Sequence, residues 1–172
     1  MRRLLLALSL VAFAAPLAAS DMTITLRIPE QKVAEYHRPY VAVWIERDDR
    51  SVAAQLAAWY DQSTGGKDGA GTKWLPDLRQ WWRRGGRELE LPVDGVSGAT
   101  RPAGEQRLTF TSGREPLAAL APGHYTLVVE AVREVGGREV VRVPFTWPGD
   151  GPQHLDATGS SELGAVTLDI DP

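Results

Sequence analysis

The sequence predicts a globular all-β protein; one observation indicates the fold class, and two others indicate how the domain is stabilised. Short runs of alternating apolar and polar residues recur along the chain, and Gly and Pro residues separate them, which is typical of a β-sandwich or barrel. The composition, 43% hydrophobic and 24% charged, is that of a globular domain. The absence of cysteine excludes disulfides and cysteine metal sites. We therefore expect one sizeable hydrophobic core to stabilise the domain.

The first residues of the chain predict a signal peptide, residues 1–20. Arg2 and Arg3 supply a charged start, and the apolar run Leu4–Ala15 follows, before several small residues. A bilayer-spanning helix needs about 20 apolar residues, so a retained anchor is the less favoured alternative. We therefore predict a periplasmic protein with one mature domain, residues 21–172, and no membrane insertion of that domain.

The charge of the mature domain argues against one class of partner. Leaving out Arg2 and Arg3 gives 17 basic and 22 acidic residues, a net charge of −5. Proteins that bind nucleic acid use a surplus of Lys and Arg on one face. We therefore expect no nucleic-acid partner.

Five segments predict strands directly. They share period-two alternation or a β-branched and aromatic composition, and turn residues bound them. Two of them form a hairpin, whose tip offers Gly136 and Gly137 for the positive φ angles of tight turns. The strands are Thr23–Ile28, Tyr40–Glu46, the hairpin pair Tyr125–Val132 and Val140–Phe145, and Ala165–Ile170.

The alanine-rich segment Ser51–Tyr60 is compatible with helix or strand, because its periodicity does not decide between them. A short amphipathic helix is predicted over Lys73–Arg84, where bulky apolar residues recur at helical spacing. Pro76 suits a first helical turn, and Gly85-Gly86 ends the helix. Three of its apolar residues are Trp74, Trp81 and Trp82, which are interpreted either as core or as contacts of an aromatic cofactor.

One string of residues suggests chemistry. After Leu89–Val93, predicted as a short strand, comes Asp94-Gly95-Val96-Ser97-Gly98-Ala99-Thr100. Asp-Gly and Ser-Gly are ordinary turn formers, so an accidental turn is the simpler interpretation. The combination of Asp with Ser-Gly-Ala-Thr at this spacing is expected by chance in only about one chain of this length in a thousand.

The string resembles the flavinylation motif of exported FMN-carrying proteins, among them the FMN-binding subunits of sodium-pumping quinone oxidoreductases. In those families a flavin transferase uses FAD to join FMN, through its phosphate, to the hydroxyl of the last motif residue. The resemblance implies that FMN is attached covalently to Thr100. It also implies that Ser97, Gly98 and Ala99 present this residue and that Asp94 is the upstream acidic residue.

The residue types suit that chemistry on physical grounds. A phosphoester needs a hydroxyl nucleophile, which Thr100 has, and a bulky FAD can approach only past small neighbours such as Gly98 and Ala99. Backbone N–H groups of a glycine-containing turn can hydrogen-bond phosphate oxygens. Two roles remain open for Asp94: binding the transferase's metal, or removing the Thr100 proton. Arg101 is either a phosphate partner or a solvated side chain.

The rest of the chain resembles a group of bacterial predicted periplasmic proteins of unknown function. The resemblance lies in Arg38–Glu46, Lys73–Arg79 and Ser161–Gly164, together with the Ser-Gly-Ala-Thr string. It implies a single immunoglobulin-like β-sandwich with one short helix, and it favours a strand over Ser51–Tyr60. Members are associated with flavin transferases and PepSY-type membrane proteins, which are therefore the expected partners.

The leading hypothesis is a periplasmic electron-transfer protein that carries FMN on Thr100, with redox chemistry supplied by the flavin. An unmodified sandwich acting as a binding or assembly module is the alternative, and a flavin-dependent reductase with its own small substrate is a weaker one. His37, His124 and His154 are isolated, so we expect no metal site.

Overall fold

Two β-sheets form the body of the protein. The structure, a computed structural model, describes residues 20–63 and 71–172; of the predicted signal peptide, residues 1–20, only Ser20 is among them. The strands are β1 (Asp21–Ile28), β2 (Tyr40–Glu46), β3 (Val52–Tyr60), β4 (Ser97–Ala99), β5 (Gly104–Thr111), β6 (Gly123–Val132), β7 (Arg138–Trp147), β8 (Gln153–Thr158) and β9 (Ala165–Asp171).

The sheets pack face to face around one large core. The four-stranded sheet has the order β5-β1-β9-β8, and the five-stranded sheet has the order β4-β3-β2-β6-β7. Alternate residues of each strand point inward, so the core between the sheets collects side chains such as Ile24 and Leu168 from one sheet and Val43 and Leu127 from the other. The prediction of an all-β sandwich with one short helix is therefore confirmed.

A second core covers the outer face of the five-stranded sheet. We call this cluster the outer core; it consists of Ala42, Trp44, Ala58, Tyr60, Leu75, Leu78, Trp81, Val96 and Val128. A strand that is buried on both faces does not need to alternate apolar and polar residues. This explains why β2 is an almost continuous apolar run. The helical segment between β3 and β4 supplies the covering side chains.

The helical segment is less regular than the sequence predicts. It consists of a 3₁₀ helix at Gly71–Asp77, helix α1 at Arg79–Arg84 and a 3₁₀ turn at Gly86–Glu88. Pro76 lies inside the first of these and has no N–H to donate, which disfavours one continuous α-helix across it. The predicted apolar face is nevertheless present, since Leu78 and Trp81 are fully buried.

Two buried carboxylates attach this segment to the sheet. Glu130 in β6 accepts hydrogen bonds from the backbone N–H groups of Gln80 (3.0 Å) and Trp81 (2.8 Å), and from Arg138 (2.8 Å). Glu46 in β2 forms an ion pair with Arg84 of α1 (3.7 Å) and accepts hydrogen bonds from the indole N–H of Trp44 (3.0 Å) and from Arg142 (2.8 Å). Because a buried charge needs such partners, these bonds fix where α1 lies on the sheet.

The predicted strands agree with the structure in all but one case. Ser51–Tyr60 is a strand, β3, and the predicted hairpin is formed by β6 and β7. The prediction of a strand over Leu89–Val93 is wrong, because this segment pairs with no strand among the described residues. Its apolar pattern has another cause: Leu89, Leu91 and Val93 pack against the outer core.

The tip of the hairpin also differs from expectation. The positive φ angle lies at Val135 (52°), not at Gly136 or Gly137. The glycines are required by close packing instead, since a Cβ atom at Gly136 would lie 2.6 Å from Cζ of Arg133. The tip is thus packed against a buried arginine.

Candidate functional site: the segment around Thr100

The residues before Thr100 form an edge strand. Strand β4 (Ser97–Ala99) pairs in parallel with β3, with Ser97 opposite Ala58 and Ala99 opposite Tyr60. It is the outermost strand of the five-stranded sheet, and Thr100 follows directly at its carboxyl end. The structure thus places Thr100 beyond a sheet edge, where it is half-buried, next to the exposed Ala99.

A hydrogen-bonded turn leads into the strand. Asp94, Gly95 and Val96 form the turn, and Gly95 has a φ of 73°, which suits glycine. The backbone N–H of Ser97 donates to the carbonyl of Val93 (2.8 Å), and the Ser97 hydroxyl accepts from the Val93 N–H (2.9 Å). Ser97 therefore closes the turn from both its backbone and its side chain.

Gly98 lies against an aromatic ring. A Cβ atom at this position would lie 3.1 Å from Cδ1 and 3.5 Å from Nε1 of Trp59. Trp59 is 3% exposed and belongs to the core between the sheets, so its ring has little room to move. The close approach of β4 to β3 therefore depends on glycine at position 98.

Arg101 contacts the same ring. Its guanidinium carbon lies 5.3 Å from the centroid of the Trp59 indole, within range of a cation–π interaction. The side chain is exposed. A positive charge is thus placed one residue after Thr100. Trp59 contacts both Gly98, before that threonine, and Arg101, after it.

Four of the five predicted site residues lie together in the structure. The fifth, Asp94, lies in the turn before the strand. Ser97, Gly98, Ala99 and Thr100 are consecutive on β4 and its end. Asp94 is exposed, in the turn at the amino end of β4. The step from Ser97 to Thr100 alone covers about 10 Å of extended backbone, so Asp94 and Thr100 lie toward opposite ends of the strand.

Trp59 is the site residue that sequence reasoning missed. It lies in β3, some forty positions before the motif, and its contact with Gly98 follows from the parallel β3–β4 pairing. Of the three tryptophans at helical spacing, Trp81 is fully buried in the outer core and Trp82 packs against that core, as the core interpretation requires. Trp74 is 46% exposed.

Two cavities open elsewhere on the domain. One, of about 400 Å³, lies between Trp74 and the tip of the β6–β7 hairpin. The other, of about 720 Å³, is rich in arginine and lies beside Glu46 at the opposite end of β2. Within residues 20–63 and 71–172, no group of three or more His, Asp or Glu side chains is placed to hold a metal ion.

Comparison with known families decides the classification. The family model described as "Predicted periplasmic protein (DUF2271)" matches residues 21–165, from the first residue of β1 to the first of β9. The chain belongs to this family. The periplasmic location predicted from residues 1–20 therefore agrees with the family's description, and none of the helices described is long and apolar enough to cross a membrane. No curated protein and no solved structure matches the chain.

Proposed function

We propose that this member of the family is a periplasmic electron-transfer protein that carries FMN as a phosphoester on Thr100. The observation that carries the proposal is the position of the motif. Ser97-Gly98-Ala99 is an edge strand without large side chains, and Thr100 follows at its open end. An incidental turn requires neither the glycine packed on Trp59 nor a hydroxyl residue directly beyond the strand.

The attachment reaction balances without an external redox agent. The Thr100 hydroxyl oxygen forms a bond to the phosphorus of the FMN half of FAD. The bond between that phosphorus and the bridging oxygen of the pyrophosphate breaks, and AMP leaves. The hydroxyl proton is transferred to a base at the transferase. The product is the chain plus FMN minus one water.

The geometry supports approach by a transferase from the sheet edge. An edge strand presents unpaired backbone N–H and C=O groups on its outer side, which a second protein can bind by strand addition. Ala99 is exposed beside Thr100, so the approach is not obstructed by a large neighbour.

The same geometry favours one of the two roles of Asp94. Because β4 is extended, the Asp94 carboxylate is not beside the Thr100 hydroxyl, and removing its proton would require β4 to leave β3. A carboxylate exposed in the preceding turn is instead suited to binding the transferase or its metal. The guanidinium group of Arg101 is near enough in sequence to pair with the attached phosphate.

A covalent bond suits a cofactor outside the cytoplasm, where a reversibly bound flavin would be lost by diffusion. The flavin supplies the redox chemistry, and the protein supplies position and surroundings. The proposed electron donor is a membrane redox protein of the PepSY type or another membrane flavoprotein. The mature chain then acts as a carrier between that donor and an external acceptor.

Co-expression with a flavin transferase in an exporting host tests the attachment. We expect the purified chain to gain the mass of one FMN minus water and to fluoresce in a denaturing gel. Thr100→Val and Thr100→Ala remove the nucleophile and should abolish both signals. Thr100→Ser keeps a hydroxyl and should retain them.

Thr109→Val is the matched control, because Thr109 is an exposed threonine in β5, the next strand along the chain, which belongs to the other sheet. This variant should be modified like the wild type. An unmodified wild-type chain, together with full modification of a known substrate by the same transferase, would refute the proposal.

A further inference from the structure

We propose that the isoalloxazine ring of the FMN carried by Thr100 docks in the cavity between Trp74 and the tip of the β6–β7 hairpin. This inference rests on the proposed function and adds a ring-binding site to it. The cavity has a volume of about 400 Å³, which is within the range of small-molecule sites. Its walls come from the start of β2, the 3₁₀ helix before α1, and the hairpin tip.

The cavity and Thr100 lie at the same end of the five-stranded sheet. Strand β4 ends at Ala99, beside Tyr60, the last residue of β3. Strand β2 runs antiparallel to β3 and begins at Tyr40, which is paired with Val132, the last residue of β6. Tyr40 and Val132 both line the cavity. The end of the attachment strand and the cavity are thus neighbours on one sheet end.

They also share a face of the sheet. Tyr60 belongs to the outer core, and Tyr40 and Val132 pack against that core, so all three point toward the helical side. Ala99 is in register with Tyr60 and therefore shares its face. Thr100 is one residue farther, beyond the end of β4, and its side chain would point to the opposite face if the strand continued. A group attached to Thr100 therefore has to turn round the open end of β4 before it crosses β3 to Tyr40.

The distance suits the flavin tether. Neighbouring strands are about 4.8 Å apart, so Tyr40 in β2 is about 10 Å from Ala99 in β4. The eight bonds from the ring nitrogen through the ribityl chain and the phosphate to the Thr100 oxygen span roughly 10 Å when extended, since each bond of about 1.5 Å advances about 1.25 Å. With Thr100 contributing its own side chain, the ring arrives at Tyr40 and extends into the cavity beyond it.

The aromatic wall suits a flat ring. Trp74 is 46% exposed although it belongs to an amphipathic segment, and it lines the cavity together with Tyr40. The Tyr40 hydroxyl donates to the carbonyl of Gly71 (3.1 Å), which holds the phenol in place. Exposed tryptophan beside a fixed tyrosine is a surface on which an aromatic ligand can stack.

The hairpin wall is polar and carries charges of both signs. Arg133 lines the cavity and makes a buried ion pair with Glu162 (2.9 Å), yet its Nη1 has no hydrogen-bond acceptor among the residues described. Arg138 also lines the cavity and pairs with Glu130. The oxygen and nitrogen acceptors of an isoalloxazine ring suit the guanidinium N–H groups of this wall, and the ring's own N–H donor suits the carboxylates of Asp77 and Glu134, which also line the cavity.

The other tryptophans fit this role less well. Trp81 is fully buried, and its indole N–H donates to Gln55 (2.8 Å). Trp82 lines a separate, more open depression with Leu89 and Leu91, which has no fixed aromatic partner. The inference therefore assigns ring contact to Trp74 and Tyr40.

The test uses the FMN-loaded chain, with loading verified by intact mass. Stacking on Trp or Tyr quenches flavin fluorescence, so we expect weak flavin emission from the native loaded protein. Trp74→Leu should raise the intensity of that emission about threefold. Trp74→Phe should lie between the two. Tyr36→Leu, which removes an exposed aromatic side chain outside the cavity, should leave the brightness unchanged.

The outcomes separate this inference from the proposed function. A loaded protein whose fluorescence does not respond to Trp74→Leu, or responds to Trp82→Phe instead, overturns the docking site and leaves the attachment intact. If no chain is loaded, the proposed function fails, and free riboflavin is titrated into the unmodified protein. Quenching that depends on Trp74 then supports the cavity as a flavin site, and its absence overturns it.

Discussion

Gly98 lies against the indole of Trp59 so closely that a Cβ atom at Gly98 would be 3.1 Å from the Cδ1 atom of that ring. This contact lets the three-residue strand β4 pair with β3 at the sheet edge. Through Trp59, the contact connects Gly98 of the motif to the core between the sheets. The glycine therefore has a packing role in addition to any need for space around FAD.

Gly98→Ala should lower the free energy of unfolding by about 1 kcal/mol, because the added methyl group meets a ring that is packed in the core. It should also reduce flavin loading, since β4 would be displaced from β3. Urea denaturation followed by tryptophan fluorescence measures the first effect. Gly151→Ala, at a position where a Cβ atom meets nothing within 4 Å, is the control and should change neither quantity. Equal behaviour of the two variants would contradict the packing role.

Ser97→Ala removes the hydroxyl that accepts the Val93 N–H and leaves that donor without its partner in the turn. We expect a loss of about 1 kcal/mol in the free energy of unfolding and partial loss of loading, with Thr100 still the site of attachment. The loading level is measured by intact mass after a fixed reaction time. A complete loss of loading with unchanged stability would instead indicate direct contact between Ser97 and the transferase.

Glu130→Ala should be the more damaging change, because it leaves the N–H groups of Gln80 and Trp81 and the charge of Arg138 without their shared acceptor. A buried carboxylate with three such partners implies a loss of about 3 kcal/mol. Glu130→Gln keeps one acceptor oxygen and should lose less. Glu105→Ala, at an exposed position in β5, is the control, and a comparable loss there would contradict the anchoring role.

Glu139 makes stability depend on acid pH. Burial alone would raise the pKa of this carboxyl, but hydrogen bonds from the backbone N–H groups of Ser160, Leu163 and Ser161 and from the Ser160 hydroxyl outweigh it and lower the pKa to about 2. The ordinary value is 4.5, so the contribution is complete above pH 4.5 and is lost as the pH falls through 2. With solvent screening it amounts to roughly 1–2 kcal/mol.

The corresponding variant is Glu139→Gln, which should be less stable than the wild type at pH 6 and should lose less stability between pH 5 and pH 3. Thermal unfolding across that range measures the difference. Parallel pH profiles for the two proteins would contradict the assigned role of Glu139.

The sequence predicts the strands that carry a clear apolar pattern, and it misses those that do not. Strand β5 alternates between half-buried and exposed residues without a β-branched run, and β8 is mostly polar. Both lie at edges of the four-stranded sheet, where one side of the strand faces solvent and the hydrophobic signal is weak. Leu89–Val93 shows the converse error, since its apolar residues pack on the outer core without strand pairing.

The candidate site is only partly readable from the sequence. The motif itself is local, so the order Asp94 to Thr100 and the need for small residues follow from the string. The contact with Trp59 and the separation of Asp94 from Thr100 depend on parallel pairing of β4 with β3, a long-range feature that no local pattern encodes. The cavity beside Trp74 likewise requires the hairpin tip and the 3₁₀ helix to meet.

Peptide mapping of the transferase-treated chain tests the central claim most directly. Trypsin is expected to release residues 88–107 as one peptide, because Pro102 protects the bond after Arg101, and Ser97 and Thr100 are its two hydroxyl residues. Fragmentation by tandem mass spectrometry should place one FMN phosphoester on Thr100 and none on Ser97. FMN found on Ser97, or on any peptide other than residues 88–107, would contradict the account.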